Sequence, residues 1–439
     1  MKKAVITILG IQNPKYDEDG VPHVQDYEHQ AKYYLENNSQ EITNYYNTLP
    51  FVIDKYALEY KVIPIYTKEA KLFNQEVLAF EDISCDFEDN IGLIKDEKEY
   101  FDIFTIIDNS INSYDKVIID LTHGFRHLPI LAIIDIVIQN FKENKKIEKI
   151  LFAKEIIKHT PVQKGEYEIV DLKEYLDIAN ISYVLSSFEK NYTISNHIKT
   201  NDKDFQVIID MLSKFSEHIM ANSLVYLLRE DDSLIDKLLS AIDVALEHKK
   251  SQPLKKYLYD IKLHLEEINQ LNSKTLYIQL FELSKIMNKK GYYLNSITLL
   301  NEALGWYCAE SLKNFSDDFG DKYIQFIRQT DTYKITSGAK NIVKYTFSDK
   351  AYNNNLNIED IHILQNKIAK IESAEKFSYN LIDQLDKVRN NLAHANSGKS
   401  FTEISSNLQS LFGRFQTYCI DQDILKIKIS LEDLQEILR

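Results

Sequence analysis

Short apolar runs rich in β-branched residues recur through the first 180 residues, separated by segments of helical spacing. Ala4–Leu9 (AVITIL), Tyr60–Tyr66 (YKVIPIY), Lys116–Leu121 (KVIIDL) and Ile147–Ala153 (IEKILFA) predict strands. Between them, Val24–Glu36, Lys98–Asn112 and Leu128–Phe141 predict helices, and Pro161–Leu172 predicts a hairpin-like close to this half. Strands alternating with helices give a mostly parallel sheet covered on both faces. Ligands of such sheets sit in the crevice beyond the carboxyl ends of the strands. The loops after Leu9 and Leu121 are therefore the ones to inspect.

From about Lys173 the pattern turns helical. Phe205–Met220, Asp232–Glu247, Leu254–Leu271, Thr275–Asn288, Leu294–Phe315, Ile358–Lys370, Ala374–His394 and Glu403–Thr417 all predict helices. Ser, Asn and Thr accumulate between residues 180 and 200, where a boundary is expected. The fold class expected is thus a Rossmann-like α/β domain over 1–180 followed by an all-α domain over 181–439. Only 11 glycines and 7 prolines in 439 residues agree with long helices.

Acidic residues outnumber basic ones 66 to 52, for a net charge of −14. That balance argues against a protein whose main work is coating nucleic acid, and leaves room for a local site. Three scattered cysteines offer no disulfide framework and no Cys-based zinc pattern, so a reducing, cytoplasmic setting is expected. MKKAVITILG superficially looks like a leader, but Asn13, Pro14 and a charged segment follow, and a first strand is the expectation. No apolar stretch approaches the ~18 residues that span a membrane.

Two segments carry candidate chemistry. The first joins the loop after strand one (Thr7, Gly10, Gln12, Asn13) to the loop after the central strand (Thr122, His123, Gly124, Arg126, His127). Glycines there let a ligand approach the backbone, and Arg126 stands just before a helix N-terminus that favours phosphate. Neither loop is a dinucleotide fingerprint or a phosphate loop, and no nucleophile elbow occurs. His123 would lie in the turn itself, so the two histidines do not present aligned metal ligands. The alternative for THGFRH is a polar helix start capped by Thr122.

The second segment, Asp386–Ala395 (DKVRNNLAHA), places Arg389, Asn390 and His394 on one helix. Arg and His five apart are offset by about 140°, so one copy does not present them on one face. Two copies across a twofold axis would line one small cleft. Arg would stabilise charge on a phosphate, and His would relay a proton during attack by an RNA 2′-hydroxyl. The alternative is an exposed helix end with His394 near the C-terminal dipole.

An α/β half with D-L-T-H-G-F-R-H-L-P followed by a helical half with R-N-x-x-x-H resembles the CARF–HEPN ribonucleases, ancillary effectors of type III CRISPR systems. The resemblance covers essentially the whole chain, and THGFRHLP is its more specific part. It implies a homodimer whose sensor domain binds cyclic oligoadenylate of four or six units, and a metal-independent ribonuclease acting on single-stranded RNA. It assigns Thr7, Gly10, Gln12, Asn13, Thr122, His123, Gly124, Arg126 and His127 to the ligand. Arg389, Asn390 and His394 become the catalytic set. The implied activator is allosteric, and no cofactor is required. Some relatives also degrade their own activator, for which Thr122 and His123 would be candidates.

Two other classes stay open on the sequence. One is a nucleotide-sensing module whose helical half only dimerises or docks a partner. The other is an enzyme that degrades a cyclic oligonucleotide in the first domain.

Overall fold

The computed structural model describes residues 1–425 except 13, 26–28, 97, 124–126, 143–145, 161–162, 195–198, 201, 224–226, 228–232, 330–331, 349–351, 353–354 and 395–397. The chain forms two compact units, Met1–Leu185 with Ser195–Ile209, and Ser186–Ile194 with Asp210–Arg439.

The first unit is built on a seven-stranded mixed sheet. Its strands are β1 (Lys3–Ile8), β4 (Ala31–Leu35), β5 (Asn38–Tyr45), β6 (Lys61–Ile65), β7 (Lys116–Asp120), β8 (Ile147–Ile157) and β9 (Glu166–Asp171). The spatial order is β5-β4-β9-β8-β7-β1-β6, and β2 (Lys15–Tyr16) with β3 (Pro22–His23) forms a separate ribbon. β6, β1, β7 and β8 run parallel, while β8–β9 and β4–β5 are antiparallel. The central strands β1 and β7 are buried on both faces, which is why they read as apolar runs. Ala4, Ile6, Ile8, Val117 and Ile119 face a core shared with helices α4 (Tyr100–Asn112) and α5 (His127–Lys142). Val5 and Ile118 point the other way, toward Phe51 and Val52 of helix α1 (Thr48–Tyr56).

Two expectations change. The helix expected over Val24–Glu36 gives way at Ala31–Leu35 to a strand that pairs with β5 across a turn at Glu36–Asn37, and residues 26–28 lie outside the described set. Its buried residues Ala31, Tyr33 and Tyr34 fit helical spacing nearly as well as strand spacing, and sheet pairing decides between them. Helices α1 and α2 (Lys68–Phe80) were not predicted at all. In the hairpin-like segment, β9 supplies the return strand, and residues 161–162 lie outside the described set.

The second unit is helical. Its central helix, Tyr293–Leu312, is buried nearly all round and packs against Leu276–Lys289, Thr332–Thr346 and Asp383–Ala393. A helix apolar on every side belongs inside a bundle. Gly305 permits a close approach to Thr332–Thr346: a Cβ there would lie 2.8 Å from Thr336 Cβ. The predicted helix Ala374–His394 is interrupted by a π-helical turn at Ser378–Ile382, after which Asp383–Ala393 continues. Helices Asp317–Arg328 and Thr332–Thr346 were not predicted.

Candidate functional sites

At the carboxyl ends of β1 and β7, Asp120 gathers hydroxyl donors. Its register partner Thr7 donates to Oδ2 at 2.9 Å, and Thr48, the first residue of α1, donates to the same oxygen at 3.1 Å. The Thr122 hydroxyl and amide donate to Oδ1 at 2.6 and 3.1 Å. Thr7 and Asp120 are buried, so these bonds replace water that the groups have lost. The Thr122 hydroxyl also accepts from the Ala153 amide at 2.9 Å, tying the loop to β8. The Thr122 hydroxyl is thus engaged by Asp120 and Ala153, and residues 124–126, which join it to α5, lie outside the described set.

His123 turns back over this cluster, its Nε2 accepting from the Thr48 amide at 3.4 Å. Burial pushes its pKa below the ordinary value, with Asp120 opposing. A neutral ring that accepts at Nε2 carries its proton on Nδ1. The Gly10 carbonyl accepts from Asn74 of α2 at 3.0 Å; Asn74 in turn accepts from Asn47, which caps α1 through the Leu49 amide. Gln12 Oε1 is buried with no hydrogen-bond partner among the described residues. The His127 ring packs against Tyr100, centroids 5.0 Å apart. The structure therefore brings Thr7, Thr122 and His123 into one cluster and anchors Gly10 beside it. Asn13, Gly124 and Arg126 lie outside the described residues.

Sequence reasoning missed Asn47, Thr48 and Asn74. A signal existed for the first two: Asn47-Thr48-Leu49-Pro50 is a helix start, with a capping Asn and a Pro in the first turn.

In the helical unit, Arg389 and Asn390 open into a polar cleft of ≈ 180 Å³ shared with Asn301, Glu302, Tyr333, Lys340 and Asp386. The Arg389 Nη1 donates to Asn390 Oδ1 at 3.1 Å. Lys340 is buried and bridges Asn301 Oδ1 at 2.7 Å and Asp386 Oδ1 at 2.6 Å. Lys344 reaches Asp386 Oδ2 and Asp383 Oδ1, both at 2.9 Å. Burial pushes the Asp386 carboxyl up, but the two ammonium groups outweigh it and hold it below its ordinary value. Glu302 behaves oppositely: burial raises its pKa, against partial opposition from Lys340, Thr336 and Arg389.

His394 does not line this cleft. It is the exposed residue that closes the helix, its amide donating to the Asn390 carbonyl at 3.0 Å. One copy of the chain thus does not bring Arg389 and His394 to a common face, as their spacing predicted. Glu302, Lys340 and Asp386 were not singled out beforehand. Asp386 lay inside the DKVRNN segment, but its partner is 46 positions away. Among the described residues, no group of three or more His, Cys, Asp and Glu is gathered as a metal site, and no helix is long and apolar enough to cross a membrane.

No protein-family model matches the chain. CRISPR-associated protein MJ1674 of Methanocaldococcus jannaschii is 25% identical over 321 residues, or 70% of this chain. This chain is a relative of a CRISPR-associated protein. It spans 45% of that relative's length. The structure of Enterococcus italicus Csm6 bound to cyclic hexa-2′-fluoro-hexa-dAMP aligns over 100% of this chain and 98% of that one, with 11% identity and a TM-score of 0.39. The CRISPR relative agrees with the resemblance drawn from the two motifs. The α/β unit followed by a helical one is the fold class that the sequence led us to expect.

Proposed function

We propose that this chain is a CARF–HEPN effector of type III CRISPR defence: a homodimeric endoribonuclease, switched on by cyclic oligoadenylate, that cuts single-stranded RNA without a metal. The observation that carries this reading is the placement of Arg389 and Asn390 in a polar cleft of the helical unit. A CRISPR-associated relative adds support.

In this reading the Arg389 guanidinium binds the scissile phosphate and stabilises the charge that builds on it. Asn390, bonded to Arg389, orients that guanidinium. His394 moves the proton, acting from the second copy across the twofold axis. A dimer is supported by α5. Its inner face (Leu128, Ala132, Ile136) is core, yet Ile130, Ile133, Ile134 and Ile138 on the other side are 41–58% exposed. A helix apolar on both sides calls for a partner.

In this reading the sensor pocket lies at the strand ends, with Thr7, Gly10, Gln12, Asn13, Thr122, His123, Gly124, Arg126 and His127 as its candidate residues. The buried Gln12 Oε1 leaves one acceptor for a ligand amino group. Thr7 and Thr122 spend their hydroxyls on Asp120, so in this reading they shape the pocket.

A second reading, a sensor module without ribonuclease activity, draws on the position of His394 outside the Arg389 cleft. RNA cleavage in EDTA, with cyclic tetra- and hexa-adenylate present, by the wild type and His394→Ala tests both. The ribonuclease reading predicts cleavage that His394→Ala abolishes. Cyclic-oligoadenylate binding with no cleavage by the wild type supports the sensor module.

A further inference from the structure

Glu302 is a carboxylate in the Arg389 cleft that no motif explains. It projects from the central helix Tyr293–Leu312, one turn before Gly305, and Gly305 and Thr336 line the same cleft. Its Oε2 accepts from the Thr336 hydroxyl at a long 3.4 Å. The charged groups that face it are Lys340 from Thr332–Thr346, and Asp386 and Arg389 from Asp383–Ala393; the Tyr333 phenol lines the same space. Lys340 and Asp386 satisfy each other, with Asn301 and Lys344 completing the network. Among the described residues Glu302 accepts only the weak Thr336 hydrogen bond, and it shares the cleft with Arg389.

Attack by a ribose 2′-hydroxyl needs a base for the proton it loses and an acid for the 5′-oxygen that leaves. The cleft in one copy supplies a cation and an amide in Arg389 and Asn390. It does not include His394.

We propose that Glu302 is the general base of the ribonuclease reaction, with His394 of the second copy as the general acid. This rests on the reading of the chain as a ribonuclease. The Glu302 carboxylate takes the 2′-hydroxyl proton as the 2′-oxygen bonds to phosphorus. The bond from phosphorus to the 5′-oxygen breaks, and an imidazolium proton goes to that oxygen. The products are a 2′,3′-cyclic phosphate and a 5′-hydroxyl end. Such a step requires one group that accepts a proton and another that donates one. Burial that lifts Glu302 toward neutrality strengthens it as a base.

The test is single-turnover cleavage of a single-stranded RNA by the full chain, with a mixture of cyclic tetra- and hexa-adenylate, across pH, for the wild type, Glu302→Gln and Glu302→Asp. Glu302→Gln is expected to lose roughly 10²–10⁴-fold in rate while RNA binding is kept, and to lose the rise of rate with pH seen in the wild type. Glu302→Asp keeps the base at a shorter reach and is expected to recover part of the rate and the rise. An unchanged thermal melt for Glu302→Gln separates chemistry from folding, and if Glu302→Gln does not fold, the pH profile of Glu302→Asp decides. A Glu302→Gln rate within a few-fold of the wild type, a retained rise, or a loss confined to RNA binding overturns the proposal and leaves the ribonuclease reading standing. A wild type that cleaves no RNA overturns both.

Discussion

Lys340 Nζ lies 2.6 Å from Asp386 Oδ1, one turn before Arg389 on the same helix. The lysine is buried and the pair joins the Thr332–Thr346 and Asp383–Ala393 helices. A buried ion pair adds little over an apolar substitute, but breaking one side leaves the other charge stranded. Lys340 and Asp386 thus fix where the Arg389 helix sits.

Asp386→Asn is expected to cost about 1–3 kcal/mol, because Asn can still accept one bond from Lys340. The difference has a pH signature. The folded-state pKa of Asp386 is depressed, so its contribution is present above the unfolded carboxylate range and is lost as pH falls through the lower folded value. Denaturant melts should show the wild type ahead of Asp386→Asn at neutral pH and the two converging in acid. A gap that stays constant with pH would show that the charge is not what matters.

His123 gives the opposite test in the sheet unit. Burial depresses its folded pKa, so below about pH 6.5 the unfolded chain takes up more protons than the folded one. Stability contributed by the neutral ring is present above that pH and is lost as pH falls. The wild-type melting temperature should therefore drop between about pH 7.5 and about 5.5, and His123→Gln should shrink that drop. An equal drop in both proteins contradicts the buried neutral ring.

Much of this fold was legible because burial on both faces forces apolar runs on β1 and β7, while β6 and β8 keep shorter apolar stretches. Strand β4 was not, since Ala31, Tyr33 and Tyr34 fit either period until β5 and β9 pair with it. The Asp120 cluster was half legible: Thr7 and Thr122 stand in the loops that sheet topology singles out, whereas Thr48 arrives on a helix that the apolar pattern did not reveal. Arg389 and Asn390, singled out by their motif, do line one cleft. Glu302 and Lys340 were not, because the cleft joins positions 302, 340 and 389, which only packing brings together.

The exposed isoleucines of α5 predict association. Ile134→Arg places a charge on that face, 48% exposed in the single chain, and is expected to shift the protein from dimer to monomer while leaving the melting temperature of the monomer's own fold near that of the wild type. Light scattering after size exclusion reads the outcome. A dimer that tolerates Ile134→Arg places the interface elsewhere.

The direct test is the rate of RNA cleavage in EDTA with and without cyclic tetra- or hexa-adenylate, for the wild type and Arg389→Ala. A ligand-activated, metal-independent ribonuclease predicts a low basal rate, a large rise with one of the two rings, and no rise in Arg389→Ala. Cleavage that needs added metal, that ignores both rings, or that survives Arg389→Ala contradicts it.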